Sequence, residues 1–176
     1  MENYVILLRG VMPTGKNKVL MAPLRAALEA AGLQNVRTYI QSGNLLVDSD
    51  LTRPLLENLV HEVIENTSGG DIAVIARTAA QFCEVLSQNP FSGDDPSRQY
   101  FSLLSAPPGA SLLKKFLAID FSPDQVTVVG DVLYALYATQ HSNSKFNNNY
   151  FERKLNVTAT SRNYNTIAKL TKLCSE

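Results

Sequence analysis

Cysteine and histidine are scarce in this sequence, with two residues of each among 176. Cys83 and Cys174 lie too far apart in the chain for a CxxC redox or zinc motif, and His61 and His141 add only two further ligand side chains. Both cysteines are therefore interpreted as structural thiols, as expected in a reducing cytosol. The sequence predicts no metal site and no cofactor.

Long apolar segments are also missing. No run approaches the roughly 20 apolar residues that are needed to cross a bilayer. The first residues, Met1–Tyr4, show neither a basic segment nor a small-residue cleavage site before the first strand-like run. The sequence thus predicts a cytoplasmic protein without membrane association, and it leaves the oligomeric state open.

Excess charge of either sign is absent as well, since 16 basic and 16 acidic residues cancel. The charge is unevenly spread, however. Residues 140–176 hold six Lys and Arg against only Glu152 and Glu176, so the acidic excess lies in residues 1–139. A basic end of this kind is typical of either an anion-binding face or a solvated helix surface, and the sequence does not choose between them.

What is present is an ordinary globular composition, 45% hydrophobic and 18% charged. Apolar periodicity in the first half predicts the order β-α-β-β-α-β, with a tight turn at Ser42-Gly43-Asn44 between antiparallel strands. This is the ferredoxin-like order. The predicted strands are 4–9, 36–41, 45–48 and 72–75, and the helices are 18–31 and 52–66.

The second half follows a partly similar pattern and ends in two helices. Its predicted helices are 78–88, 111–117, 148–155 and 163–173, and its strands are 100–104, 126–129 and 132–137. The Pro- and Asp-containing segment 89–98 predicts a boundary. We therefore expect an α+β protein with a ferredoxin-like subdomain at 1–88 and a second α+β subdomain at 98–176, together forming one compact unit. Whether the halves arose by duplication stays open.

Four sequence blocks carry a family resemblance: Leu7–Gly10, Gly15–Lys18, Val36–Asn44 and Thr160–Thr166. By these blocks the chain resembles, from end to end, the bacterial family of domains of unknown function numbered 1697. Two departures are Met12-Pro13-Thr14, where the family usually has Asn-Val-Gly, and Tyr164, where it usually has Trp. The resemblance implies a compact α+β fold and no assigned activity.

Residues Gly10–Asn17 match the GxxxxGK spacing of a phosphate-binding P-loop. Asn17 stands where that motif has the Ser or Thr that holds Mg²⁺, and a neighbouring hairpin conflicts with the parallel sheet that carries such loops. Three interpretations stay open: an NTPase site, a loop that binds an anion at a helix N-terminus, or a structural turn.

Residues Arg162–Thr166 combine a cation, helix-capping side chains and an aromatic ring at the start of the last helix. With Lys145 and Arg153 they could hold phosphate or stack on a base; alternatively, they cap the helix while Tyr164 packs in the core. We expect the loop at 10–18 and this helix start to form one cleft, in which Lys16 and Arg162 hold the anion. The predicted anion-binding residues are Arg9, Gly10, Gly15, Lys16, Asn17, Lys18, Lys145, Arg162, Asn163, Tyr164, Asn165 and Thr166.

Catalysis has weaker support. Ser144 and Lys145, beside His141, could form a nucleophile pair, but the sequence places no carboxylate beside them, so no catalytic residue is assigned. The favoured function is a binding module for an anionic ligand, either nucleic acid or a phosphorylated small molecule. The alternatives are an enzyme acting on a phosphate- or carboxylate-bearing metabolite and a self-association or protein-interaction module. The sequence favours a protein that is not an enzyme without deciding the question.

Overall fold

The computed structural model describes residues 1–176 as two compact units. The first unit comprises residues 1–83 and 170–176, and the second comprises residues 84–169. Each contains a four-stranded antiparallel sheet with helices, which confirms the α+β class. No helix is both long enough and apolar enough to span a bilayer.

The first unit has the predicted βαββαβ order. Its sheet runs β2-β3-β1-β4, with antiparallel neighbours throughout, which is the ferredoxin-like arrangement. The elements are β1 (Glu2–Leu8), α1 (Met21–Ala30), β2 (Gln34–Thr38), β3 (Asn44–Ser49), α2 (Arg53–Ser68) and β4 (Val74–Thr78), followed by α3 (Ala79–Ser87).

The predicted β2–β3 hairpin is confirmed, because Thr38 pairs with Leu45 in antiparallel register. The turn is longer than Ser42-Gly43-Asn44, since β2 ends at Thr38 and not at residue 41. Ile40 has a φ of 50°, which lies outside the β region, so the strand cannot continue through it. The Asn44 side-chain amide closes the turn by donating to the Tyr39 carbonyl at 3.0 Å.

The first core is aliphatic and joins one face of the sheet to α1 and α2. Alternate residues of β1, namely Tyr4, Ile6 and Leu8, point to this core, as strand periodicity requires. The helices contribute buried residues at helical spacing: Leu24 and Leu28 from α1, and Leu56, Val60 and Ile64 from α2. Helix α1 starts three residues later than predicted, because Val19 is buried as extended chain and Leu20 is the N-cap.

The second unit repeats the complete order and not only part of it. Its sheet runs β6-β7-β5-β8, again antiparallel throughout. The elements are β5 (Gln99–Leu104), α4 (Ala110–Leu117), β6 (Gln125–Val129), β7 (Val132–Leu136), α5 (Asn148–Leu155) and β8 (Ala159–Asn163). The last helix, α6 (Tyr164–Cys174), begins in this unit and ends, from residue 170, in the first.

Strand β8 is the element that sequence periodicity missed. Its residues, Ala-Thr-Ser-Arg-Asn, include few of the apolar side chains that mark a strand. It forms because β5 supplies a partner edge, with Phe101 opposite Arg162 and Leu103 opposite Thr160. The available signal for a strand was β-branched Thr160 between the small residues Ala159 and Ser161, because β-branched residues are enriched in strands.

The second core is aromatic. Phe116, Phe121, Phe146 and Phe151 are all buried, and centroid separations of 4.9 to 6.1 Å join them in tilted or edge contacts. That residues 1–88 and 98–176 form separate subdomains remains a prediction. Expressing each range alone and measuring whether it folds would test it.

Candidate functional site

The loop between β1 and α1 holds half of the predicted anion-binding residues. Its backbone is closed by its own hydrogen bonds: the Met12 N–H donates to the Asn17 carbonyl at 2.9 Å, and the Lys18 N–H donates to the Gly15 carbonyl at 3.2 Å. Gly15 makes the inner turn possible with a φ of 81°. Lys16 and Lys18 are exposed on this fixed backbone.

Two neighbouring segments approach the loop closely at the same end of the sheet. A Cβ on Gly43 would lie 2.8 Å from the Leu8 Cβ and 2.9 Å from a Val11 methyl carbon. A Cβ on Gly70 would lie 2.9 Å from the Lys16 carbonyl oxygen. Glycine is therefore required at both positions where these segments meet the loop.

The loop does not have the architecture of a P-loop. In that motif the Gly-Lys pair opens a helix that follows a strand of a parallel sheet. Here α1 begins only at Met21, Pro23 removes one N–H from its first turn, and both neighbours of β1 are antiparallel. The structure therefore offers no support for the NTPase interpretation.

A cavity of about 370 Å³ lies beside the loop, between the start of α1 and the end of α2. Lys18 is the only charged side chain in its lining. The Thr67 and Ser68 hydroxyls donate to carbonyls of α2, at 2.7 and 2.9 Å, so their oxygens stay in place as acceptors. Apolar Val19, Leu20, Pro23 and Leu24 complete the wall. The cavity can take a small ligand with one negative group and an apolar part.

The turn at residues 39–43 is strained and is tied to this cavity. Ile40 is β-branched, yet it has a φ of 50° and leaves 52% of its surface exposed. The Gln41 side-chain amide donates to the Val19 carbonyl at 2.6 Å, and Val19 belongs to the cavity wall. Strain of this kind is frequent at functional sites.

In the second unit the segment 162–166 mainly caps a helix. The Asn163 side-chain oxygen accepts the Thr166 N–H at 2.9 Å, so Asn163 caps the helix. Thr166 is buried, whereas Asn165 is exposed. The Tyr164 ring is half-buried and makes a tilted contact with Phe101 at a centroid separation of 6.2 Å.

Arg162 lies on β8, with its guanidinium turned back along the strand. Its Nη1 donates to the Thr160 hydroxyl and to the Ser161 carbonyl, both at 2.8 Å. Burial lowers the pKa of Arg162 to about 10. The side chain still carries its full positive charge at neutral pH.

The segment between β7 and α5 is organised by one carboxylate. Asp124 accepts the Ala138 N–H and the Ser144 hydroxyl, each at 2.8 Å. The Ser144 oxygen in turn accepts the Phe146 N–H at 3.1 Å. Ser144 thus ties the segment together, and Lys145 lies over the Phe146 ring. These contacts favour a structural role for Ser144 over the nucleophile hypothesis.

We use the name basic aromatic patch for the group of Lys145, Phe146, Tyr150, Arg153 and Lys154, in which Phe146 is buried and the other four side chains are at least partly exposed. The Lys145 ammonium lies 5.1 Å from the Phe146 centroid, and the Arg153 and Lys154 cations lie 5.5 and 5.6 Å from the Tyr150 centroid. The two rings meet edge to face at 5.2 Å. The contact between the rings connects the two cation sites, and the three cations are exposed.

The patch is positive because the one acid of α5 faces elsewhere. Glu152 accepts the Asn148 side-chain amide and the Ala159 N–H, each at 3.3 Å, on the side of β8. Lys145, Arg153 and Lys154 form no ion pair. Sequence reasoning found Lys145 and Arg153 but missed Tyr150 and Lys154. On a helix, Tyr150 lies three residues before Arg153 and four before Lys154, and both spacings signal contact.

His141 lies beside a second aromatic pair in the same unit. Its ring stacks on Tyr100 at 4.4 Å with an interplanar angle of 14° and meets the edge of Tyr137 at 5.0 Å. Burial lowers the pKa of His141 below its ordinary value. The imidazole is thus less protonated at neutral pH than an ordinary histidine, and its ring extends the aromatic character of the segment 137–147.

The predicted anion-binding residues divide between the two units. Arg9, Gly10 and residues 15–18 belong to the first unit, whereas Lys145 and residues 162–166 belong to the second. The expectation that Lys16 and Arg162 hold one ligand stays a prediction.

Comparison with known proteins gives a family and a fold. The family model described as Protein of unknown function (DUF1697) matches residues 1–134, which include three of the four sequence blocks. The solved structure of the conserved bacterial protein SP0830 from Streptococcus pneumoniae is similar over 98% of each chain, with a TM-score of 0.77 and 21% identity. At that identity the likeness concerns the fold alone. No curated protein matches the chain significantly.

Proposed function

The chain belongs to the family described as Protein of unknown function (DUF1697), and from the chemistry of its surface we propose that it binds an anionic partner, best a single-stranded nucleic acid. The basic aromatic patch is the observation that carries this proposal. Two exposed cations, Arg153 and Lys154, lie over the half-buried ring of Tyr150, and a third, Lys145, lies over the neighbouring ring of Phe146. Cations that attract phosphates, beside a ring that stacks on a base, are the usual means of binding single strands.

The geometry favours an extended ligand over a small one. The cations of Lys145 and Arg153 lie over different rings, Phe146 and Tyr150, so a ligand with several phosphates matches the whole patch better than one with a single phosphate. Successive phosphates of a strand satisfy several cations at once, and each contact releases counterions. Two free cysteines fit the cytoplasmic location that such a partner implies.

Fluorescence anisotropy with a labelled single-stranded RNA at several salt concentrations tests the proposal. We expect the logarithm of the association constant to fall with the logarithm of salt concentration, with a slope of about −2 for three phosphate contacts. Replacing Lys145, Arg153 and Lys154 by Gln should remove most of this slope. The matched control is the double change Lys114→Gln and Lys115→Gln on α4, which removes exposed cations from the same unit.

A ring variant separates stacking from charge. Tyr150→Leu should weaken binding by about 1–3 kcal/mol while the salt slope stays unchanged, because the cations remain. Absence of RNA binding at low salt, or equal losses in the α4 control, would contradict the nucleic-acid proposal.

The cavity beside Lys18 supports a second candidate, a phosphorylated small molecule bound by the first unit. The exposed cation Lys18 lines it, and Lys16, two residues earlier in the same loop, is exposed as well. Titration with inorganic phosphate and with nucleoside monophosphates, followed by NMR shifts, tests this candidate. Binding there should be lost in Lys18→Ala and kept in the Tyr150→Leu variant.

Nucleotide hydrolysis is not part of either proposal. We expect no Mg²⁺-dependent ATP hydrolysis above background, and Lys16→Ala should leave the fold intact because the side chain is exposed. Turnover that this substitution abolishes would revive the P-loop interpretation. The same assay thus decides between a binding loop and an NTPase.

A further inference from the structure

The two cysteines, distant in sequence, meet in the first unit. Cys83 lies on α3 and Cys174 ends α6, and their Sγ atoms are 4.0 Å apart. Both side chains are free thiols and both are half-buried. We propose that Cys83 and Cys174 are a redox modification site, at which a small-molecule disulfide such as oxidised glutathione joins them in a reversible intramolecular disulfide.

Contacts other than the sulfur pair hold Cys174 in this place. The preceding residue, Leu173, accepts a hydrogen bond from the Arg37 guanidinium of β2 through its carbonyl, at 3.1 Å. The Cys174 thiol donates to the Thr171 carbonyl at 3.2 Å. The last turn of α6 is therefore fixed, and the two sulfurs need to approach by only about 2 Å to reach the length of a disulfide bond.

The chemistry is two successive thiol–disulfide exchanges. One cysteine thiolate attacks a sulfur of the glutathione disulfide, whose S–S bond breaks and releases one glutathione thiolate. The second cysteine thiolate attacks the protein sulfur of the mixed disulfide and releases the second glutathione. Two protein thiols are oxidised, one glutathione disulfide is reduced, and the two cysteine protons pass to the glutathione thiolates.

The surroundings of the pair make this reaction slow at neutral pH. Burial raises the pKa of Cys174 to about 11, and the neighbouring Cys83 contributes in the same direction. Only a small fraction of Cys174 is thiolate at pH 7, so the exchange rate should rise with pH toward the alkaline range.

Mass spectrometry of the full chain in buffers with varied glutathione ratios tests the proposal. We expect the oxidised protein to lose two hydrogen masses, and peptide mapping to show a link between Cys83 and Cys174. Cys83→Ser and Cys174→Ser should each gain one glutathione instead, because the resolving thiol is gone. The oxidised wild type should also melt several degrees above the reduced form.

The native fold must cause the pairing for the inference to hold. The effective concentration of one thiol at the other should be at least about tenfold higher in the native chain than in urea, where a long loop separates them. Arg37→Gln should lower the disulfide yield by loosening the last turn of α6. Stable mixed disulfides in the wild type, links only between molecules, or equal effective concentrations in urea would overturn the inference.

Discussion

The two units have the same strand order but place their long connection at different points of it. In the first unit, residues 9–20 join the first strand to its helix, and residues 50–52 suffice after the third strand. In the second unit, residues 105–109 follow the first strand, and the long segment 137–147 follows the third.

This difference places chemistry at different ends of equivalent sheets. In each unit the first and third strands are antiparallel neighbours, so their C-terminal residues lie at opposite ends of the sheet. The first unit therefore has its glycine-dependent loop and cavity at the end of its first strand. The second has His141 and Lys145 at the end of its third. The strand order is the same in both units, and the length of the connecting loops decides at which end of the sheet the candidate functional residues lie.

The largest expected effect tests the contrast between aromatic and aliphatic cores. Phe151→Ala should lower the free energy of unfolding by about 3–5 kcal/mol, and Leu56→Ala in the first unit by about 2–5 kcal/mol, because each leaves a cavity. Urea unfolding followed by far-UV circular dichroism measures both. The control Leu117→Ala, at a residue 48% exposed, should cost much less. A cost below about 1 kcal/mol for Phe151→Ala would show that the ring is not packed as described.

The next effect concerns the carboxylate that organises the segment 137–147. Asp124→Asn weakens its charge-assisted bonds to Ala138 and Ser144 and should cost about 1.5–3 kcal/mol. Ser144→Ala removes only one of these partners and should cost about 1 kcal/mol. Urea midpoints of the two variants rank them. An equal or larger loss in Ser144→Ala would contradict the central role of Asp124.

A smaller effect, this time a gain in the free energy of unfolding, is expected at the strained turn of the first unit. Ile40→Gly relieves a left-handed conformation that costs a side chain about 1–2 kcal/mol, against an entropic cost of glycine of about 0.5–1 kcal/mol. The free energy of unfolding should thus rise slightly. Met12→Gly is the control, since Met12 is equally exposed but has no positive φ, and should lower it. Destabilisation by both changes would contradict the strain at Ile40.

The smallest expected effect is the pH dependence contributed by His141. Its pKa in the folded chain is lowered by burial from the ordinary value of 6.5. The unfolded chain therefore binds the proton first as the pH falls through 6.5, so stability decreases toward acid pH. The change in urea midpoint between pH 7.5 and 5.5 should be smaller in His141→Gln than in the wild type. A wild-type midpoint that rises on acidification relative to the variant would reverse the sign.

Much of the fold could be predicted from residue patterns. Alternating apolar residues in β1 and helical spacing in α2 determined the first unit, because the burial of one face imposes those periods. Helix α5 was predicted with its observed limits, 148–155. β8 escaped prediction because its partner, β5, and not its own polar residues, stabilises it. Ile40 was predicted within a strand because no local rule anticipates a β-branched residue at positive φ.

For the candidate site, the sequence determined which residue types were available, and the tertiary structure decided what they do. Charge asymmetry alone indicated a basic end that includes Lys145 and Arg153. Only the folded helix shows that Tyr150 joins these cations in one patch and that Glu152 faces away from it. The approach of Cys83 to Cys174 likewise depends on contacts far apart in the chain. Local patterns record the period of burial, whereas such contacts depend on how distant elements pack.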